Sequence, residues 1–170
     1  MVLECLKNIQ SKYGKFAVLG EKDMIYLNET NTLLQESGFE VLHNEYRKLY
    51  YNGSSIALFG LETNGDVSGL INETNQDSFK LVAVHEPDYF NDCYKAIDLQ
   101  LSGHSMGGYV SLPLVGSIHD RELAKSYVYG THHKKNAYLV ISNGLGNEMD
   151  YSYRFNCPNE VLVITLKNKS

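Results

Sequence analysis

The sequence predicts an α/β (α+β) chain forming a single domain over residues 1-170, with helix and strand alternating early and strands dominating later. Three observations lead there. Apolar residues recur at helical spacing near residues 3–10 and again over 23–37, while short apolar, β-branched runs follow from residue 39 onward. No internal repeat and no Pro- or Ser-rich linker divides the chain, which holds 3 Pro in 170 residues. A chain of that length with 43% hydrophobic residues can bury one core without disulfide or metal staples.

The elements follow in order. Leu3, Leu6, Ile9 and Gln10 share one face of a short helix that stops at Tyr13-Gly14. Phe16-Ala17-Val18-Leu19-Gly20 reads as a buried strand, and Asp23 to Ser37 as a helix carrying Ile25, Leu33 and Leu34, with Gly38 behind it as the C-cap residue. Strands are expected at 39–42, 46–51 and 54–61, the last two joined through Asn52-Gly53, a dipeptide suited to a tight hairpin. Residues 62–78 are polar and read as an irregular segment. Buried strands follow at 81–84 and 97–101, and three late strands near 126–130, 137–142 and 160–166. Thirteen tyrosines with no tryptophan include Tyr127, Tyr129, Tyr151 and Tyr153, whose alternation suits cross-strand packing. His132-His133-Lys134-Lys135 reads as a solvated hairpin loop between two strands.

Composition excludes several function classes. Twenty acidic against 15 basic residues, a formal net charge of −5, disfavour phosphate-backbone binding, so no nucleic-acid partner is expected. The apolar runs are only a few residues long, too short to span a bilayer, so no membrane partner is expected either. Cys5, Cys93 and Cys157 are odd in number and far apart, which suits reduced thiols and a cytoplasmic location.

The chemistry-bearing residues lie just past the ends of apolar strands, where ligand groups collect in open sheets. Leu19-Gly20 leads into Glu21-Lys22-Asp23, Val84 into His85-Glu86-Pro87-Asp88, and Leu101-Ser102 into Gly103-His104-Ser105-Met106-Gly107-Gly108. Asp88 and Glu86 are expected to cap and brace the loop that bears His85. Gly103-His104-Ser105-Met106-Gly107 also fits the G-x-S-x-G pattern of acyl hydrolases, in which a serine sits on a strained turn opening a helix. The β-branched, Pro113-interrupted stretch behind Gly108 argues against that helix, and His119, His132 and His133 lack an evident strand-end acid partner.

From about Leu6 to Leu166 the sequence resembles the latter part of a calcineurin-like metallophosphoesterase of the small bacterial phosphohydrolase kind. Tyr13 to Gly20 is similar to the run leading into that family's Gly-Asn-His-Asp motif, and His85-Glu86-Pro87-Asp88 is similar to its His-Glu-Pro-Asp signature. Leu99 to Gly108 with Leu112-Pro113-Leu114-Val115-Gly116 resembles its Gly-His-Thr-His-Gly-Gly segment. Tyr138 to Gly146, with Arg154, Pro158 and Glu160, resembles its closing strands. The resemblance implies a partial two-sheet β sandwich flanked by helices and lacking the N-terminal strands. It implies that the metal ligands carried by an N-terminal Asp-x-His and a Gly-Asp precede this sequence. Met106 stands where another ligand of the first metal would be, so a second family metal site is not expected. His85 and His104 match ligands of the remaining metal, and Glu21 takes the place of the family's Asn. That set would hold one divalent ion, Mn, Zn or Fe, with Lys22 contacting the phosphate group.

The function so implied is metal-dependent hydrolysis of a small-molecule phosphate ester, with activity reduced or lost. A non-catalytic binding or partner-regulating module on the same fold is the alternative, and a serine acyl hydrolase using Ser105 is a further one. Absent strands would leave an unpaired edge, so a homo-oligomer or a partner chain supplying the missing half is expected.

Overall fold

A computed structural model describes residues 2–63, 65–74, 78–117, 121–146 and 154–167. Strands β3 (Glu45–Tyr51), β4 (Ser54–Leu61), β5 (Phe79–Val84), β6 (Leu99–Ser102), β9 (Gly130–Lys134) and β10 (Ala137–Ile141) form a six-stranded sheet in the order β3-β4-β5-β6-β10-β9. The four central strands run parallel, and the two edge strands are antiparallel to their neighbours. Two small ladders accompany it: β1 (Phe16–Ala17) parallel to β2 (Glu40–Val41), and β7 (Ser111–Leu112) antiparallel to β8 (Gly116–Ser117). The mixed sheet flanked by helices is consistent with part of a metallophosphoesterase-type fold.

The hairpin forms as the dipeptide predicts. Asn52 (φ 47°) and Gly53 (φ 79°) both take left-handed backbone, which matches the twist of β3 and β4. One sheet face is the core. Ala57, Phe59 and Leu61 of β4, Val82 and Val84 of β5, and Ala137, Leu139 and Ile141 of β10 pack with Val67, Phe90, Cys93 and Ile97. The last four come from helices α3 (Val67–Asn72) and α4 (Phe90–Cys93) and the turn behind α4. Strand alternation puts Gln100, fully buried, on this face. Its Nε2 donates to the carbonyls of Glu86 and Pro87 and to Ser102 Oγ, and its Oε1 accepts from the Cys93 thiol. Burial raises the Cys93 thiol pKa to about 12, so the group stays a neutral donor.

Several expectations need correction. The first helix, α1 (Val2–Asn8), is shorter than its apolar pattern, and the 16–20 run forms ladder bonds over two residues only, with Leu19 buried beyond them. The 23–37 helix is a 3-10 turn, Asp23–Tyr26, followed by α2 (Leu27–Glu36), and Ile25 is 70% exposed rather than on a buried face. The polar 62–78 segment contains α3, because Asp66 caps it by accepting Ser68 N–H at 2.8 Å and Val67 anchors it in the core. The late strand expected at 126–130 begins at Gly130, so His132 to Lys134 lie on β9 and only Lys135 and Asn136 turn. Tyr127 instead packs edge-on against Phe90 at 5.7 Å, Tyr129 is exposed, and Tyr151 and Tyr153 lie outside the described residues. Residues 160–166 join no ladder among the described residues, and Val161 and Val163 are exposed. No helix among the described residues is long and apolar enough to cross a membrane.

Candidate functional site

Parallel pairing places the C-terminal ends of β5, β6 and β10 at one edge of the sheet. Register matches Ala83 to Leu101 and Ser102 to Ile141, so the loops starting at His85, Gly103 and Ser142 emerge side by side. Gly103 N–H donates to His85 O and Ser142 N–H to Ser102 O, which fixes their relative heights. The loop behind β1 closes over them. Its turn is pinned by Gly20 N–H donating to Asp23 Oδ2 at 2.9 Å and by Asp23 N–H returning to Gly20 O. Gly20 is required there for space: a Cβ would lie 2.6 Å from the His85 ring.

Glu21, His85 and His104 consequently meet, with one donor atom from each lying within 4.8 Å of the others. Glu21 Oε2 stands 3.2 Å from His85 Nε2 and 3.4 Å from His104 Nδ1. Ligands about 2 Å from a tetrahedral ion are separated by about 3.3 Å, so these spacings suit a shared cation. His104 is aimed by its backbone: φ is 62°, and Ser105 N–H bonds Gly103 O across it at 2.7 Å, a tight turn held in the left-handed region. Its Nε2 lies 2.8 Å from Glu122 O, an obligate acceptor, so in the neutral ring Nε2 carries the hydrogen and Nδ1 presents a lone pair. That Nδ1 is buried and has no hydrogen-bond partner among the described residues. In that tautomer Nδ1 and Glu21 Oε2 are both acceptors 3.4 Å apart, an arrangement that a cation between them would satisfy. Burial, and then the neighbouring His104, lower the His85 pKa, against the pull of Glu21, Glu86 and Asp23, which favours the neutral ligand form. The donor set therefore fits a divalent ion.

A cavity of about 340 Å³ opens on this cluster. Lys22, the expected phosphate contact, lines it beside Asp23, Met106, Asn143, Arg121 and Arg154. Sequence reasoning missed Arg121, which belongs to no motif, and gave Arg154 no site role. Asn143-Gly144, directly behind the apolar β10, carried the strand-end signal that would have found the third wall.

Of the two expected braces, Glu86 holds the His85 loop and Asp88 does not. Glu86 is buried and accepts from Thr63 Oγ1 at 2.6 Å, tying the His85 loop to the end of β4. Asp88 instead reaches a distant segment, its carboxylate accepting the backbone N–H groups of Lys125, Ser126 and Tyr127 at 2.8 to 3.2 Å. Ser105 is 2% exposed, and its Oγ accepts from Gly107 N–H. A single 3-10 turn, Met106–Gly108, follows it where an acyl-hydrolase elbow needs a helix. His119 lies outside the described residues, and His132 and His133 sit on β9.

Curated proteins similar to this chain include three metallophosphoesterases. An uncharacterized metallophosphoesterase of Bacillus subtilis (strain 168), YkuE, is 29% identical over 98% of this chain and 61% of its own length. An uncharacterized metallophosphoesterase of Aquifex aeolicus (strain VF5) is 25% identical over 98% of this chain and 66% of its own. YkoQ, another of Bacillus subtilis (strain 168), is 28% identical over 85% and 57%. The chain thus spans about three-fifths of the length of these relatives. No family model and no solved structure matches it.

Proposed function

We propose that this chain, a relative of the metallophosphoesterases, holds one divalent metal ion through Glu21, His85 and His104 and acts slowly on a phosphate ester bound beside it. The observation that carries this reading is the buried Nδ1 of His104, without a hydrogen-bond partner among the described residues and facing Glu21 and His85. Such an ion supplies Lewis-acid polarisation of a phosphoryl oxygen and acidifies bound water. His104 is kept in its ligand tautomer by Glu122 O, and His85 is kept neutral by burial. Lys22 offers a positive charge towards the phosphate group from the same cavity. Slow turnover is part of the reading because Met106 lines the same cavity, and its thioether is a poor ligand for a hard cation.

Metal analysis after reconstitution with Mn or Zn, followed by aryl-phosphate assays, tests this. One ion per chain is expected, with metal and activity both lost in His85→Ala and His104→Ala. Folded protein that takes up no metal sinks the reading. Metal uptake without turnover in the wild type would favour the non-catalytic binding module instead.

Self-association is part of the proposal. The exposed Val161 and Val163 outside any described ladder, and the two exposed edges β3 and β9, are surfaces that a second copy would cover. Light scattering at micromolar concentration is expected to show a dimer or larger species, and a strictly monomeric profile would contradict it.

A further inference from the structure

We propose that a second cavity, at the opposite end of the sheet from Glu21, His85 and His104, binds a compact polyphosphate anion through Lys95 and Lys135. The parallel strands β5, β6 and β10 run towards the histidine cluster and begin at this cavity. Lys80, near the start of β5, and His85, just past its end, are five residues apart, so about 16 Å of extended chain separates the two sites. Nothing in the metal cluster is needed for binding here. The cavity, about 370 Å³, is lined by Lys95 and Lys135 with Lys80, Tyr94, Asp98 and Asn136. A protein of net charge −5 that concentrates lysines in one concave spot favours an anion there.

Local structure brings the charges together. The chain reverses at Lys135-Asn136, between the paired residues Lys134 and Ala137, with Lys135 in left-handed backbone at φ 53°. Tyr94 follows α4, its N–H donating to Phe90 O at 3.1 Å and its ring tilted against the buried Phe90 ring at 6.2 Å. Three ammonium groups gather round the ring so held. Lys134 Nζ stands 4.9 Å from its centroid, Lys95 Nζ 5.8 Å and Lys135 Nζ 5.9 Å. An aromatic ring has two faces, and a contact near 6 Å is at the outer limit of cation–π attraction, so Tyr94 does not offset three charges. Like charges around one ring repel, because their separation is comparable with the Debye length, about 8 Å at physiological salt. Lys134 Nζ also donates to Asn91 Oδ1 at 2.8 Å, a neutral acceptor. Among the described residues Asp98 is the acid that lines the cavity, and its carboxylate already accepts Lys80 N–H at 2.7 Å. Lys80 Nζ lies 3.4 Å from Ser78 O, and the charge balance does not rely on it. Ammonium groups are point charges on flexible stems, suited to an anion that presents oxygens in several directions. A di- or triphosphate chain concentrates several negative charges in a space of this size. A lipid surface or a nucleic-acid strand spreads its charge along a longer path than lysines around one ring can follow.

Calorimetric titration of the metal-free protein with inorganic triphosphate in 0.15 M chloride tests this. Wild type is expected to bind, less tightly as chloride is raised. Lys95→Gln and Lys135→Gln together should weaken triphosphate at least tenfold, while arginine at both positions keeps the charge and should restore most of the affinity. Both side chains are exposed, so neither change disturbs the core, and circular dichroism checks this. Lys7→Gln, an equal change of charge on the exposed side of α1, should leave binding unaltered. His85→Ala should also leave it unaltered, so failure of the metal reading and failure of this one are distinguishable. Adenosine triphosphate reports the source of the anion: equal affinity means that the phosphate chain alone is recognised, and tighter binding that a nucleoside adds contacts. No triphosphate binding by wild type at millimolar concentration, or affinity unchanged in the double glutamine variant, overturns the proposal. So does an equal loss in Lys7→Gln, or citrate bound as tightly as triphosphate.

Discussion

Gly20→Ala isolates geometry from chemistry, because it removes no ligand and alters no charge. The added Cβ would lie 2.6 Å from His85 Cδ2 and Nε2, the ligand edge of the ring. An ordinary contact begins near 3.4 Å, so ring or loop must yield by about 0.8 Å, while metal–ligand bonds tolerate about 0.2 Å. Disturbing the support of a ligand typically costs about 10–100-fold in metal affinity, or about 1.4–2.7 kcal/mol. The local crowding itself costs about 1–3 kcal/mol of stability. Gly103→Ala is the matched control, lying in the same cavity with nothing within 4 Å of its new methyl group. Competitive Zn titration against a chromogenic chelator should show the loss in Gly20→Ala and none in Gly103→Ala. Equal affinities, with both proteins folded, would refute the claim that Gly20 exists to let His85 approach Glu21.

Other expected outcomes concern the frame around the site. Asp88→Ala leaves three amides of the 125–127 segment without their acceptor, and should cost roughly 3 kcal/mol, seen as a fall in Tm of about 6–12 °C. Gln100→Ala orphans the carbonyls of Glu86 and Pro87 in a fully buried position, and denaturant titration should show about 2–4 kcal/mol lost from cavity and unmet hydrogen bonds together. Thiol labelling at pH 8 should mark exposed Cys5 quickly and spare Cys93, whose thiol is held neutral up to about 12. The same shift has a sign for stability. Unfolded Cys93 ionises from its ordinary value of 9.0 while the folded thiol does not. The folded state therefore loses stability as pH climbs from about 9 towards 12, and rapid labelling of native Cys93 at pH 8 would contradict this.

What could be read from the residues follows from how locally each feature is determined. The β3–β4 hairpin was legible because Asn52-Gly53 can satisfy its left-handed backbone with no help from the rest of the chain. Helix α3 was not, since Val67, Leu70 and Ile71 are few and set among polar neighbours, and its core contacts come from elsewhere. The opposite error arose at 160–166. That segment has strand composition, but a ladder needs a neighbouring strand, and propensity says nothing about whether one is present. Glu21, His85 and His104 were legible as a group because apolar strands ending in polar residues mark one edge of a parallel sheet. Arg121 was invisible, because its place depends on Asp88, 33 positions earlier, a contact that no local pattern encodes.

That dependence changes how the His85-Glu86-Pro87-Asp88 run is to be understood. Only His85 touches the ligand cluster, yet each other member ties it to a different part of the cavity. Glu86 holds the end of β4 through Thr63, its carbonyl and that of Pro87 hold Gln100 in the core, and Asp88 gathers the segment that supports His104 and carries Arg121. Four consecutive residues therefore couple one metal ligand to the sheet, to the second imidazole and to the basic wall. A change at Asp88 should weaken His104 as a ligand without touching it, because Glu122 O would no longer be held against Nε2. Zn affinity lost in Asp88→Asn but retained in a destabilising core variant of equal Tm would separate this coupling from loss of stability alone; equal loss in both would reduce Asp88 to a structural brace.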